Sequence, residues 1–135
     1  MAFADAGSGA VRVDAGSPQI AVTAGEAWSA GDLIGYSGGW VKADANVPIR
    51  PLAVALTGAA SGELSRPIAF VAVVYGGRYS GGTPGASLYA SDTAGSVSES
   101  QGTITYPVGR VLAADVAVLY PLFGASDADL YHGPW

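Results

Sequence analysis

The chain has no cysteine, one lysine, one histidine and one methionine among 135 residues. Without cysteine there is neither a disulfide framework nor a thiolate metal site, so the fold has to hold by packing alone, and the redox compartment cannot be read. Basic residues are few and scattered singly (Arg12, Lys42, Arg50, Arg66, Arg78 and Arg110) in a chain of net charge −5, which argues against a nucleic-acid partner, since phosphate binding needs clustered Lys and Arg. No glycine-rich stretch is followed by the Lys-Ser/Thr pair of a phosphate loop. The longest apolar run, residues 67–75, is less than half of the ~20 residues that cross a bilayer as a helix, so no membrane role is expected. The first nine residues have neither the positive n-region nor the apolar h-region of a secretory signal.

The shortage extends to catalytic groups. A triad, a two-histidine zinc site or an imidazole proton shuttle would all depend on His132, which only three residues follow; a chain end is seldom held rigidly enough for catalysis, so an exposed tail histidine is expected. Asp127 and Asp129 are too few oxygen ligands for a calcium loop. Glu26, Glu63 and Glu99 each adjoin Gly, Ala or Ser in expected turns, with no sign of a facing carboxylate pair, and solubility accounts for them. The segment Gly35-Tyr-Ser37-Gly-Gly39 matches a G-x-S-x-G nucleophile pattern, with Asp127 and His132 downstream. That motif needs a strand-to-helix turn, whereas here it runs into Trp40-Val41-Lys42, a strand pattern, so a β-hairpin turn is expected. No catalytic residue, cofactor or metal is expected, and the chain is read as a non-enzyme.

What the chain does have is glycine (20) and proline (8), spaced every few residues, with an apolar half rich in alanine and valine. Its length suits one domain with one core. Short runs of β-branched and aromatic residues alternate with Gly, Pro, Asp and Ser clusters, which predicts strands over 19–24, 32–36, 40–43, 52–57, 67–75, 86–90, 96–98, 104–112 and 116–119. Residues 1–18 read as an extended N-terminal arm, 19–123 as the β domain and 124–135 as an aromatic tail.

The chain also resembles itself. Gly31-Asp-Leu-Ile-Gly-Tyr-Ser37 aligns with Gly85-Ala-Ser-Leu-Tyr-Ala-Ser91 at an offset of 54; a two-residue insertion in the following turn raises the offset to 56, matching Trp40-Val-Lys42 with Ser96-Val-Ser98 and Pro51-Leu-Ala-Val-Ala-Leu56 with Pro107-Val-Gly-Arg-Val-Leu112. Each copy reads as strand, tight turn, strand, loop, proline, strand, followed by another apolar strand. A three- or four-stranded sheet cannot bury its apolar face alone, so two are expected to close over a shared core as a small β-sandwich or barrel. The run 67–75 is apolar on both faces and is expected to be one central strand, with the glycine-rich residues 76–85 crossing between the copies.

The candidate contact residues lie outside this repeat. Val11, Arg12 and Val13 form the short apolar patch of the arm, able to add a strand to a partner's sheet. Arg78 and Tyr79 sit in the crossover, expected to be an exposed loop. Tyr131 and Trp135 belong to a tail whose aromatics suit docking on the same domain or a neighbouring subunit.

The run Pro84-Gly-Ala-Ser-Leu-Tyr-Ala-Ser-Asp-Thr-Ala-Gly-Ser-Val97, followed by Thr105-Tyr-Pro-Val-Gly-Arg-Val-Leu112 and the strand from Val116, resembles tailed-phage head decoration proteins, also called capsid cement proteins. In that family a G-x-x-L/V-Y-x-S-x-T-A-G-x-V hairpin and a P-V-G-R-V-L-like strand recur in this order. The resemblance covers roughly residues 19–120. It implies a β domain, usually a homotrimer, that is made in the host cytoplasm and binds the major capsid protein on the outside of the head, clamping adjacent subunits after the shell expands; no cofactor is implied. The alternative from another class is a phage fibre or receptor-binding β module that recognises a host glycan through Tyr79 or the tail aromatics.

Overall fold

The computed structural model describes residues 3–7, 11–15, 19–76 and 78–122. Strands in chain order are β1 (Ala4–Asp5), β2 (Val11–Ala15), β3 (Gln19–Val22), β4 (Leu33–Tyr36), β5 (Trp40–Lys42), β6 (Ala53–Ala55), β7 (Arg66–Ala69), β8 (Ala72–Gly76), β9 (Tyr79–Ser80), β10 (Ser87–Ala90), β11 (Val97–Ser98), β12 (Pro107–Ala113) and β13 (Val116–Leu119). They form a five-stranded sheet ordered β3-β7-β6-β4-β5, a six-stranded sheet ordered β11-β10-β12-β13-β8-β2, and a two-stranded ribbon of β1 and β9. The ladders are antiparallel throughout. The all-β sandwich expected from the strand-and-turn pattern is the architecture found.

The self-resemblance is a true structural repeat, and it is longer than the sequence suggests. If the strands of the first unit are β3, β4, β5, β6 and β7, and those of the second β8, β10, β11, β12 and β13, both sheets have the same spatial order: first, fifth, fourth, second, third. The register repeats as well. Leu33 and Ile34 face Val54 and Ala53, while Ser87 and Leu88 face Arg110 and Gly109, which keeps the offsets of 54 and 56. Even the entry into the second strand is duplicated: Gly31 N–H donates to Ala55 O and Gly85 N–H to Val111 O, both at 2.8 Å. At those two positions φ is +89° and +87°, a left-handed conformation that costs glycine nothing and strains other residues. The glycine therefore recurs because the turn geometry recurs.

Two expectations need correction. In the hairpins, Tyr36 pairs with Trp40 and Ala90 with Val97, so Trp40 corresponds to Val97 and not to Ser96; the second turn is three residues longer, not two. The run 67–75 is not one strand. It breaks at Phe70 and Val71, with β7 pairing to β3 and β6 in one sheet and β8 pairing to β13 and β2 in the other. Continuous apolarity reports burial on both faces; it is equally satisfied by two short strands that pass from one sheet to the next. The chain thus crosses between units here, ahead of the glycine-rich segment. The N-terminal arm is likewise part of the domain, since β1 pairs with β9, and β2 extends the six-stranded sheet beyond β8.

Alternation then assigns the faces. Between the sheets, Leu33, Ala43 and Val54 meet Val74, Leu88, Val108, Val111, Ala117 and Leu119, all fully buried or nearly so. A second apolar cluster lies on the opposite face of the five-stranded sheet, where Ile34, Ala53, Ala55 and Ile68 are covered by Ala24, Trp28 and Ala59 from two loops. Trp28 is fixed as a lid: its N–H and C=O bond to Ala59 at 3.0 and 2.9 Å, and its indole Nε1 donates to Thr57 O at 3.1 Å. Ile34 faces this outer cluster while its counterpart Leu88 faces the shared core, so the units stack front to back and do not meet through equivalent faces. We expect Trp28→Ala to cost about 3–5 kcal/mol, read as a lowered urea midpoint with an unchanged slope, because it opens the outer cluster and leaves the core between the sheets intact.

Candidate functional site

Among the described residues, buried charge gathers around one side chain, Arg78. Arg78, the residue before β9, is 1% exposed, and Tyr79 beside it is 3% exposed. These two were expected to stand out from a glycine-rich loop as contact residues; instead they are core residues, because the loop folds inward and finds carboxylates from distant parts of the chain. The Arg78 guanidinium donates from Nε to Asp5 Oδ1 at 2.9 Å and from Nη2 to Asp5 Oδ2 at 3.3 Å. Nη2 also donates to Asp32 Oδ1 at 2.7 Å and Gly95 O at 3.3 Å, and Nη1 to Ala30 O at 2.9 Å. The carboxylates are held in turn: Asp5 accepts from Val97 N–H at 3.0 Å and Gly7 N–H at 2.8 Å, and Asp32 from Ser29 N–H at 2.8 Å. One cation thereby ties the N-terminal ribbon, the first unit and the hairpin of the second unit to a single point.

Two carboxylates share this one guanidinium, in a space where burial competes with ion pairing. Burial outweighs the nearby Ser29 N–H, Arg78 and Lys42 and holds the Asp32 carboxyl above its ordinary value of 3.8. Burial alone would lower the Arg78 pKa, but Asp5, Tyr79 and Asp32 reverse the balance and raise it. Burial pushes the Tyr79 hydroxyl strongly upward, against the pull of Arg78. That hydroxyl is buried with no hydrogen-bond partner among the described residues, and the Arg78 guanidinium carbon lies 5.9 Å from the Tyr79 ring centre. This arrangement holds charges in place: each of the three guanidinium nitrogens is bonded to a carboxylate or a backbone carbonyl of the chain itself.

Ser37 lies at the tip of the β4–β5 hairpin, its N–H bonded to Gly39 O at 2.9 Å and followed by Gly38 at φ +70°, so the G-x-S-x-G segment is a turn between strands, as its context predicts. His132, Asp127 and Asp129, with the candidate contacts Tyr131 and Trp135, lie outside the described residues. The three glutamates have structural work that composition does not reveal: Glu26 Oε2 accepts Lys42 N–H at 2.8 Å, Glu63 Oε1 accepts Ala60 N–H at 2.9 Å, and Glu99 Oε2 accepts Thr83 N–H at 2.9 Å. The second candidate patch, Val11, Arg12 and Val13, has its backbone paired to Gly76, Tyr75 and Val74 of β8, so this strand is added to the chain's own sheet and not held out for a partner.

The sheet edges differ in how they are finished. The β5 edge is covered by Gly25 N–H on Trp40 O at 2.7 Å and by the Glu26 carboxylate. The β11 edge is covered at Val97 by Asp5. The β3 edge is open: Gln19, Ile20 and Ala21 are all exposed, Ile20 by 42%. Pro67 O of the neighbouring strand bonds to Leu56 N–H at 3.1 Å, on the β6 side, so β3 bonds to β7 through Ile20 and Val22. The N–H and C=O groups of Gln19 and Ala21 therefore point outward, without a partner among the described residues. Chains usually guard such an edge with lysine, proline or a bulge, and Gln19–Val22 has none of these.

No protein-family model, curated protein or solved structure matches the chain.

Two outcomes test the electrostatic centre. Arg78→Leu strands two carboxylates in the interior and should cost about 3–5 kcal/mol in denaturant unfolding. For Asp32, a folded pKa above 3.8 means that the folded chain holds this proton more tightly, so the residue's contribution is full below that pH and lost as pH rises through the folded value. The stability difference between the parent and Asp32→Asn should therefore be more favourable to the parent at about pH 3 than at about pH 7; a difference independent of pH would contradict the assignment.

Proposed function

We propose that this chain is a tailed-phage capsid decoration protein, which binds the outside of the head and bridges copies of the major capsid protein, most commonly as a homotrimer. The observation that carries the reading is the open β3 edge. The domain caps its β5 and β11 edges with its own residues, and its β2 edge strand carries the charged Arg12 and Asp14, whereas the uncharged strand Gln19–Val22 has unused hydrogen-bonding groups. Such an edge binds an extended segment of another chain by strand addition. Two features noted above support the choice of partner: the hairpin and the Pro107–Ala113 strand that resemble the decoration family fall at the same places in the repeated unit as their first-half counterparts, and the charged centre is spent on internal cohesion. In this reading the β3 edge replaces the N-terminal arm as the capsid-contacting strand.

Ala21→Pro separates contact from folding, because it removes an outward N–H while the bonded positions Ile20 and Val22 keep their ladder to β7. Co-sedimentation with purified expanded heads should show many copies per particle for the parent and a loss of at least about tenfold in affinity for Ala21→Pro, with thermal unfolding shifted by only a few degrees. Absence of the parent from heads, together with binding to host cells in few copies, would replace this reading with the fibre module.

A further inference from the structure

Residues 3–7 form a strap whose attachments are remote in sequence. Ala4 and Asp5 pair with Ser80 and Tyr79, Ala6 N–H donates to Arg78 O at 2.8 Å, and the Phe3 ring lies 5.5 Å from that of Tyr79. The Asp5 carboxylate adds its bonds to Arg78 and Val97. Open clefts of about 320 Å³ lie on either side, one walled by Gly7, Asp32 and Lys42, the other by Phe3, Asp5 and Val97; Thr93 and Ser96 line both. The strap is therefore a bar that borders both clefts, seated in the groove beside β9.

The charge count makes the bar separable. With the strap in place two carboxylates serve one guanidinium; with it lifted, Arg78 keeps Asp32 at 2.7 Å and Ala30 O at 2.9 Å, a balanced pair. Removing an occupant usually leaves a buried partner uncompensated, and here it does not. The groove also has a definite preference: extended backbone to pair with β9, an aromatic ring against Tyr79, and a carboxylate two residues further on for Arg78 and Val97 N–H.

We propose that this groove is a peptide-acceptor site, filled in the single chain by its own N-terminus and able to receive the Phe3–Gly7 strap of a second copy, so that neighbouring copies are joined by strap exchange. Every contact made within one chain is available unchanged between two, so the closed and exchanged forms differ only in the path of the connecting residues and in the local concentration of copies. The connection to β2 begins at Gly7, with φ +76°, and continues through the small residues Ser8, Gly9 and Ala10. The proposal does not depend on the capsid reading, since it concerns contact between copies of this chain alone.

The absence of native cysteine permits a direct test on the full chain. Ala4 and Ser80 are opposed across the β1–β9 ribbon, and opposed residues of an antiparallel pair lie about 5.5 Å apart at Cα, within disulfide reach. Isotope-labelled Ala4→Cys chain is mixed with unlabelled Ser80→Cys chain, oxidised, and analysed by peptide mass spectrometry. A mixed 4–80 disulfide should form, rise at least about tenfold between micromolar and near-millimolar protein, and fall about tenfold when Asp5→Ala or, separately, Phe3→Ala is added to the Ala4→Cys chain. A mixed disulfide that is missing at the highest concentration, or that survives both added substitutions, overturns the proposal.

Discussion

The architecture hangs on the neutralisation of one guanidinium. Arg78 lies where three parts of the chain converge, and it offsets the two carboxylates that the Asp5 ribbon and the Asp32 turn bring together in a space nearly closed to water. The cation converts repulsion into a joint, and the N–H groups of Gly7, Ser29 and Val97 hold the carboxylates at the required angles. A hydrophobic joint would pull the same pieces together but would not specify which turn meets which hairpin. The directed hydrogen bonds of such a polar network supply that specification.

The repeat supplies what the arginine then locks. Each unit is a five-stranded sheet with the same order and the same glycine-initiated second strand, yet the units use their faces differently. Among the described residues, the first has a fully buried apolar cluster on each face, between the sheets and under Trp28, whereas the second contributes to the cluster between the sheets. Half-buried residues such as Val73, Val116 and Val118 alternate with fully buried Ala72, Val74, Ala117 and Leu119 along β8 and β13, as a sheet with one face in the core requires. Identical topology has thus been fitted to two environments by changing which alternate positions carry large side chains.

Much of this was legible in the residues. Turn chemistry marked the strands, and the recurrence of Gly31 and Gly85 located the repeat, because local backbone geometry leaves local traces. The break at Phe70–Val71 was hidden, since an apolar run looks the same whether it continues in one sheet or passes between two. Arg78 was misread for a different reason. Its partners are 73 and 46 residues away, and no periodicity links an arginine in a glycine-rich stretch to one aspartate in β1 and another in a turn. Nor did composition hint that Glu26, Glu63 and Glu99 each cap a backbone N–H, which depends on where loops meet in space. The open β3 edge follows from sheet order alone, which a list of strands does not contain.

Front-to-back stacking gives the molecule a direction. Two sheets related by a twofold axis would present the same chemistry at both ends, but here the outer face of the first unit carries an indole lid and that of the second, among the described residues, a row of half-buried valines. Layer upon layer could in principle be added to such a pile, as in solenoids, and Trp28 is what ends the series at one side. An assembly made from this chain therefore has a top and a bottom before any partner is met.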